Sequence, residues 1–490
     1  MAGAMESAAI SHGRGIVLPR GRELFSLALI LFSLVIVQPT GVVSTQTASN
    51  ISWLHTSSTH TYNELGEIVS LHGVNFVSDQ GQGITLADIQ YVKQLGFNAF
   101  RYQIYWGLIQ PYNETLNGID ESYFASGKYP LNVGLDQLVN WAVQENMYFI
   151  ICLFWTQWRP PPNWAFPTLS DDPSRYAALI SGSAVKERTG IVNTWKYIAN
   201  RYRDIPNVIF EILNEPNVPD TSLAGLSYKT FNEQIISAME SVETHPHLKI
   251  IELLRISGNA FEITEGASDV NMLNVIWATH HYEPMNSFDP NGKYWRSESF
   301  TWHNQLFPVG SGNGTTFVAW RTIRVAEKIH SWNKPWIITE FSKDVTQANW
   351  KYWYDITLKT MKEYDIAGWV FHLYCSNPSI EPGWNINAPA TQQRVMEVLG
   401  PYLEMAGMSA STTASTTLSL TTRTPTATTV SMSSSITSTV IPTTVFMTAT
   451  VTPQTATQTV TQPVVTVTEA RGQIAWKSQP DHDYSKFGKS

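Results

Sequence analysis

The sequence has little cysteine, little charge and no long apolar segment. Two cysteines in 490 residues exclude a disulfide scaffold. Charged residues make up 15% of the chain, against a usual share of about 25%. Lys plus Arg is 32 and Asp plus Glu is 40, for a net charge of −8, and this sign disfavours a general nucleic-acid binder. The apolar run 24–37 is shorter than the roughly 20 residues of a membrane-spanning helix.

What the sequence does have is unevenly distributed. Aromatic residues make up 12% of the chain, including 18 Trp, which excludes a mostly disordered protein. Residues 50–406 hold 17 of these Trp and both cysteines. We therefore predict that residues 50–406 form the one large folded domain.

The two flanking regions have different compositions. Residues 1–45 combine three Arg, the apolar run and then Pro39, Gly41 and Ser44, a pattern typical of a secretory signal. Residues 407–470 are rich in Thr, Ser and Pro and are typical of a linker or an O-glycosylated stalk. The Thr-Val alternation near residue 460 leaves a small β-module as an alternative. Residues 471–490 form a polar tail. We expect a secreted, extracellular protein, with cell-surface association left open.

The folded domain alternates apolar strand patterns with amphipathic helix patterns. This order is typical of an α/β protein, and eight units over some 350 residues fit a closed (β/α)8 TIM barrel. A doubly wound open sheet would need a Gly-rich turn after its first strand, but that turn has only Gly81 and Gly83. The predicted strands are 67–76, 97–102, 147–154, 207–213, 248–254, 275–279, 336–339 and 367–372. The predicted helices are 85–95, 135–145, 186–202, 231–242, 262–269, 317–331, 348–363 and 391–402.

In such barrels the catalytic groups lie where strands end and loops begin. The polar residues at those places are Asn75, Arg101, Asn214, Glu215, His280, His281, Tyr282, Glu340 and His372. Glu215 and Glu340 are the carboxylates among them. Two carboxylates at one barrel mouth, one protonated and one ionised, are the minimum equipment for cleaving a glycosidic bond. An ion pair that closes the barrel is the alternative for either Glu alone.

Five short motifs resemble glycoside hydrolase family 5, a family of retaining (β/α)8 enzymes that includes cellulases and mannanases. They are LHGVN at 71–75, FNAFR at 97–101, ILNEP at 212–216, ATHHYEP at 278–284 and PWIITEF at 335–341. The resemblance implies that Glu215 is the acid/base and Glu340 the nucleophile. It also implies that Arg101, Asn214, His280 and Tyr282 bind the substrate or orient the two carboxylates. Strand three ends in CLFW at 152–155 and lacks the Asp-x-His pattern of many family cellulases, which keeps a mannanase open.

Aromatic side chains near the predicted mouth suit the apolar faces of sugar rings. Trp106, Trp155 and Trp158 follow strands two and three, and each is either a sugar contact or a core residue. The sugar platform after strand eight is either Tyr374 or Trp384. Cys152 and Cys375 fall on strands that are not neighbours, so we predict two buried free thiols.

The expected function is that of a secreted retaining glycoside hydrolase that cleaves internal β-1,4 linkages of a plant-type polysaccharide, with glucan or cellulose first. A β-mannanase, an exo-β-glucanase and a non-catalytic carbohydrate-binding protein of the cell surface are the alternatives. We predict a monomer whose partner is the polysaccharide. No metal, cofactor, nucleic acid or stable membrane span is expected.

Overall fold

The structure is a computed structural model, and it describes nine stretches of the chain. They are residues 51–77, 83–111, 118–127, 133–155, 173–218, 227–256, 269–284, 288–296 and 299–403. The predicted signal segment, the Ser/Thr-rich region, the polar tail and the predicted helix 262–269 lie outside them.

Eight parallel strands close into a barrel, and they follow one another around it in chain order. The last strand pairs with the first, from Gly368 beside Leu71 to Tyr374 beside Phe76. The predicted (β/α)8 fold is thereby confirmed. The strands are β1 Leu71–Phe76, β2 Ala99–Tyr105, β3 Tyr148–Trp155, β4 Val208–Glu211, β5 Lys249–Glu252, β6 Val275–His281, β7 Trp336–Phe341 and β8 Gly368–Tyr374.

Helices follow the strands and form the outer layer. The strand-to-helix segment after β5 falls mostly outside the described residues. Thr85 caps the first helix in a capping box in which Asp88 accepts a hydrogen bond from the Thr85 amide. The helices are α1 Leu86–Gln94, α2 Trp106–Ile109, α3 Glu121–Ala125, α4 Leu135–Gln144, α5 Pro173–Ser181, α6 Val185–Tyr202, α7 Tyr228–Glu240, α8 Gly314–Ser331, α9 Trp350–Glu363 and α10 Pro389–Leu403.

Strand β3 shows why the barrel forms from nearly continuous apolar sequence. Its alternate residues Phe149, Ile151 and Leu153 pack in the layer between strands and helices. Tyr148 and Ile150 belong instead to a second apolar cluster, which also takes one or two residues from each of the other strands or the residues just before them. A strand buried on both faces needs apolar residues at every position.

The smaller strands lie outside the barrel. A hairpin of His55–Ser57 and His60–Tyr62 precedes β1, and the two-residue strands Asn217–Val218 and Arg255–Ile256 pair after β4 and β5. An insertion after β6 contains Tyr294–Arg296 paired with Gly310–Gly312, and Phe300–Trp302 paired with Gln305–Phe307. Among the described residues, no helix has both the length and the apolarity to cross a membrane.

Candidate active site

A buried guanidinium organises the polar layer at the carboxyl-terminal end of the barrel. Arg101, on β2, is fully buried. It donates to both carboxylate oxygens of Glu211, over 2.6 and 2.9 Å. It also donates to Glu340 Oε1 over 2.7 Å and to Asn214 Oδ1 over 2.6 Å. A single side chain thereby joins β2 to the ends of β4 and β7 through the forked geometry that only arginine offers.

Glu340 lies at the end of β7 and is held on both carboxylate oxygens. Oε1 also accepts a hydrogen bond from Gln103 over 3.1 Å, and Oε2 accepts one from the Tyr282 hydroxyl over 2.5 Å. Burial acts to raise the pKa of Glu340, but the charges of His280 and Arg101, with this hydrogen bond, outweigh it and lower the pKa well below its usual range. Glu340 is therefore an anion at neutral pH.

Glu215 faces Glu340 across the imidazole of His280. His280 Nδ1 lies 2.7 Å from Glu215 Oε1 and 3.4 Å from Glu340 Oε2. One carboxylate oxygen of Glu215, one of Glu340 and a ring nitrogen of His280 all lie within 4.8 Å of one another. The Glu215 side chain is 26% exposed, whereas that of Glu340 is 7% exposed. Glu215 is therefore the more solvent-accessible member of the pair.

Contacts from the surrounding helices fix the segment that carries Asn214 and Glu215. The Tyr176 hydroxyl, from α5, donates to the Asn214 carbonyl over 3.1 Å. The Trp195 indole, from α6, donates to the Ile212 carbonyl over 3.1 Å. These contacts hold the backbone where it leaves β4, and pre-organised positions of this kind are what an active site needs.

Two further carboxylates, absent from the predicted site, lie directly behind the pair. Glu211 and Glu252 end strands β4 and β5, and both are fully buried. Glu211 is neutralised by Arg101, whereas Glu252 Oε2 accepts the backbone N–H of Glu215 over 2.6 Å and lies 3.5 Å from His280 Nε2. Burial, together with the charges of Glu215 and Glu211, raises the pKa of Glu252 to about 8 against the opposing effect of His280.

The imidazole of His280 lies within 3.5 Å of the carboxylates of Glu215, Glu252 and Glu340. Burial acts to lower its pKa, but the charges of Glu252, Glu340 and Glu215 outweigh it and raise the pKa to about 9. His280 and Glu252 therefore titrate as a coupled pair that holds a proton at neutral pH. The neighbouring His281 points the other way, as strand alternation predicts, and its ring lies 6.0 Å from that of Trp353 in α9.

The aromatic residues divide between the site and the core. The Trp384 ring lies 6.2 Å from that of Tyr282 and is partly exposed, so it borders the site. Tyr374, the other platform candidate, is buried with its hydroxyl bonded to Asp88. Trp106 is buried as well, so the core alternative is correct for it. The side chain of Trp155 and the whole of Trp158 lie outside the described part of the structure.

His372, on β8, lies beside Glu340 and Tyr282. Its Nδ1 lies 3.8 Å from Glu340 Oε2, and its ring packs edge-on against Tyr282 at 5.7 Å. The side chain is 20% exposed. His372 thus lies beside Glu340, and its place near the end of β8 had already made it a candidate site residue.

The prediction for the two cysteines is confirmed. Cys152 and Cys375 are buried, and neither forms a disulfide among the described residues. Cys152 lies in the polar layer, with its sulfur 3.0 Å from an Arg101 nitrogen. Burial raises the pKa of this thiol well above its usual value, so it is a neutral group that packs against the guanidinium.

The buried carboxylates Glu211 and Glu252 lie close to the side chains of Arg101 and His280. Glu211, Glu252 and His280 each place a donor atom within 4.8 Å of the others. Both oxygens of Glu211 already accept from Arg101, and Glu252 Oε2 accepts from an amide. We assign this cluster to the ion-pair and hydrogen-bond network around Arg101 and His280, since Arg101 and the Glu215 amide account for three of its four carboxylate oxygens.

Several solved structures are similar to this chain. Among solved structures, Thermotoga maritima Cel5A in complex with cellobiose is 18% identical with a TM-score of 0.49, and the match covers 68% of this chain and 97% of that one. The catalytic domain of the major endoglucanase from Xanthomonas campestris pv. campestris is 16% identical with a TM-score of 0.48, covering 71% and 100% of the two chains.

Two curated proteins match by sequence. Endoglucanase 3 of Fibrobacter succinogenes is 24% identical over 236 residues, which is 47% of this chain and 32% of that protein. Cellulase/esterase CelE of Acetivibrio thermocellus is 23% identical over 235 residues, which is 44% of this chain and 25% of that protein. The match thus spans a third or less of the length of these relatives.

A family model extends over more of the chain than either relative. The model for cellulase, glycosyl hydrolase family 5, matches residues 62–377. This range contains all eight strands of the barrel and both Glu215 and Glu340. The chain therefore belongs to glycosyl hydrolase family 5.

Proposed function

We propose that this chain is a secreted retaining glycoside hydrolase that cleaves internal β-1,4 linkages of a plant-type polysaccharide, with glucan as the first substrate. The observation that carries the proposal is the approach of Glu215 and Glu340, whose nearest oxygens lie within 4.8 Å. Retaining glycosidases hold their two carboxyl groups about 5–5.5 Å apart, whereas inverting enzymes need about 6.5–9.5 Å to admit a water molecule. The short separation supports a double displacement.

The environments of the two carboxyl groups support opposite roles. Glu340 is buried and held anionic by Arg101 and His280, as a nucleophile must be. Glu215 is more exposed and lies beside the His280 and Glu252 pair, which keeps a proton at neutral pH. A proton donor to the leaving oxygen and a base for incoming water both need this access to solvent.

The reaction follows from these roles in two steps. Glu340 bonds to the anomeric carbon while the glycosidic carbon–oxygen bond breaks, and Glu215 gives its proton to the leaving oxygen. Water then bonds to the same carbon, Glu215 takes the proton of the water, and the bond to Glu340 breaks. Asn214, whose Oδ1 is bound by Arg101, is positioned for its amide nitrogen to donate to the sugar 2-hydroxyl.

The aromatic residues at the site and the names of the matched relatives support a β-glycan substrate. Trp384 and Tyr282 present neighbouring rings beside Glu340, and flat amphipathic rings suit the apolar faces of pyranoses. Two matched relatives carry the names endoglucanase and cellulase. The N-terminal pattern of residues 1–45 supports export, and we expect the protein to act as a monomer on its polysaccharide without a cofactor.

Site variants and a substrate panel test the proposal. Glu215→Gln and Glu340→Gln should each abolish hydrolysis of carboxymethyl-cellulose while leaving the circular dichroism spectrum unchanged. Glu397→Gln, which makes the same substitution on the exposed face of α10, is the matched control. Near-normal activity in either site variant would refute the assignment of roles.

The panel also separates the alternatives. Faster turnover of mannan or glucomannan than of cellulose derivatives would favour a mannanase, and xylan should be cleaved slowly. An endo enzyme lowers viscosity early, before many reducing ends form, whereas an exo enzyme releases sugars with little change in viscosity. A folded protein that binds these polymers but cleaves none would favour the non-catalytic alternative.

A further inference from the structure

Glu252 is a buried carboxylate with no arginine or lysine partner among the described residues. Its side chain is fully buried at the end of β5. Oε2 contacts the Glu215 amide and approaches His280, while Oε1 has no hydrogen-bond partner in the described part of the chain. A buried carboxylate without compensation is costly. Such a group persists where it serves the site that it faces.

The hydrogen bond from Glu215 to Glu252 supports an unusual backbone conformation. Glu215 has a φ of +41°, in the left-handed region that side-chain-bearing residues rarely adopt. Its amide donates to Glu252 Oε2 over 2.6 Å, and a hydrogen bond to a carboxylate is stronger than one to a neutral acceptor. The contact fixes the direction in which the Glu215 side chain leaves the backbone.

Glu252 is also joined to the Glu215 side chain through one imidazole. His280 turns Nε2 towards Glu252, at 3.5 Å, and Nδ1 towards Glu215, at 2.7 Å. When the proton of the pair lies on His280, the negative charge of Glu252 stabilises the imidazolium, which favours the ionised form of Glu215. The same negative charge, acting directly on Glu215, disfavours that ionised form. Glu252 and His280 therefore act in opposite directions on the proton that Glu215 must hold before it can act as an acid.

We propose that Glu252 is a positioning residue for the acid/base, which fixes the Glu215 backbone and, through His280, the position and the charge environment of the Glu215 carboxyl group. This inference rests on the proposed role of Glu215 and adds a residue outside the two-carboxylate pair. It accounts for a buried carboxylate that neither Arg101 nor the nucleophile explains. Among the described residues, the charged and titratable groups that face Glu252 or His280 from the neighbouring elements are Glu211, Glu215, Glu340, Tyr228, Tyr282, His372 and Cys152.

Glu252→Gln tests the charge alone, because glutamine keeps the size and an oxygen that can accept the Glu215 amide. Loss of the Glu252 charge removes a like charge from Glu215, but it also destabilises the imidazolium that favours ionised Glu215. Because His280 lies 2.7 Å from Glu215 Oε1, we expect the second effect to be the larger. The alkaline limb of the kcat/KM profile should then move to higher pH by about one unit, the size of shift that one nearby charge commonly causes. The rate at the new optimum should stay within about threefold of wild type. Glu397→Gln should leave the profile unchanged.

Glu252→Ala tests the positioning, because it also removes the acceptor of the Glu215 amide. We expect kcat to fall by about tenfold to a hundredfold on a polysaccharide, the effect of one lost hydrogen bond to a charged group. On an aryl glycoside with a dinitrophenolate leaving group the loss in kcat/KM, which reports the first step, should be under about threefold, since such a group departs without a proton from an acid.

The outcomes separate this inference from the proposed function. If both Glu252 variants keep the wild-type pH profile and the wild-type dependence on leaving group, the inference is overturned even though Glu215→Gln and Glu340→Gln are inactive. If those two variants are active, the proposed function itself fails. Should Glu252→Ala not fold, the pH profile of Glu252→Gln decides the question.

Discussion

Removal of the Tyr282 hydroxyl isolates one interaction of the nucleophile. In the Tyr282→Phe variant the 2.5 Å hydrogen bond to Glu340 Oε2 is lost, while the Arg101 and His280 contacts remain. A hydrogen bond to a charged group contributes about 1.5–3 kcal/mol. At 1.36 kcal/mol per pKa unit, its loss should raise the pKa of Glu340 by roughly one to two units.

The sign of the pH effect follows from the state that the hydrogen bond stabilises. The pKa of Glu340 is depressed in the folded protein, so activity is present above that pKa and is lost as the pH falls through it. Tyr282→Phe should therefore move the acid limb of the kcat profile to higher pH. At pH 7 Glu340 stays ionised, and kcat should fall by about tenfold to 150-fold because the same bond stabilises the departing carboxylate in the second step.

Steady-state kinetics on a soluble glucan between pH 3 and 9 measure both effects. Tyr352→Phe is the matched control, since Tyr352 is 43% exposed on α9 and its hydroxyl contacts only Thr315 among the described residues. An unchanged kcat together with an unchanged acid limb in Tyr282→Phe would refute the role of this hydrogen bond.

Three other changes probe the rest of the site. Arg101→Met leaves buried Glu211 without its cation, so the free energy of unfolding in urea should fall by about 3–5 kcal/mol; an unchanged midpoint would contradict this. Trp384→Ala should raise KM by about threefold to tenfold through lost ring stacking, with kcat much less affected; the opposite pattern would count against a binding role. Cys152 and Cys375 are buried, so a thiol reagent should label neither until the protein is unfolded; labelling of the native protein would be the contrary result.

The barrel could be predicted because its strands are apolar at nearly every position. Strand β3 was predicted at 147–154 and lies at Tyr148–Trp155, since burial on both faces leaves a continuous signal. The polar residues at strand ends then indicated Arg101, Glu215 and Glu340, and the structure brings these three together. A strand end is visible in sequence because the polarity changes there.

Glu211 and Glu252 were missed for a single reason. Strands β4 and β5 were predicted to run through residues 213 and 254, but they end at Glu211 and Glu252. Each Glu is followed by two apolar residues, Ile212-Leu213 and Leu253-Leu254, so the apolar pattern extended the predicted strands past their true ends. A glutamate inside an otherwise apolar strand was the available signal, because such a residue must find a partner when it is buried.

The stereochemistry of cleavage tests the central claim most directly. Proton NMR of a short cello-oligosaccharide during the first minutes of hydrolysis identifies the anomer formed before mutarotation. The approach of Glu215 and Glu340 within 4.8 Å predicts the β-anomer first, as a double displacement requires. First formation of the α-anomer would contradict the account, because it would require a single displacement by water.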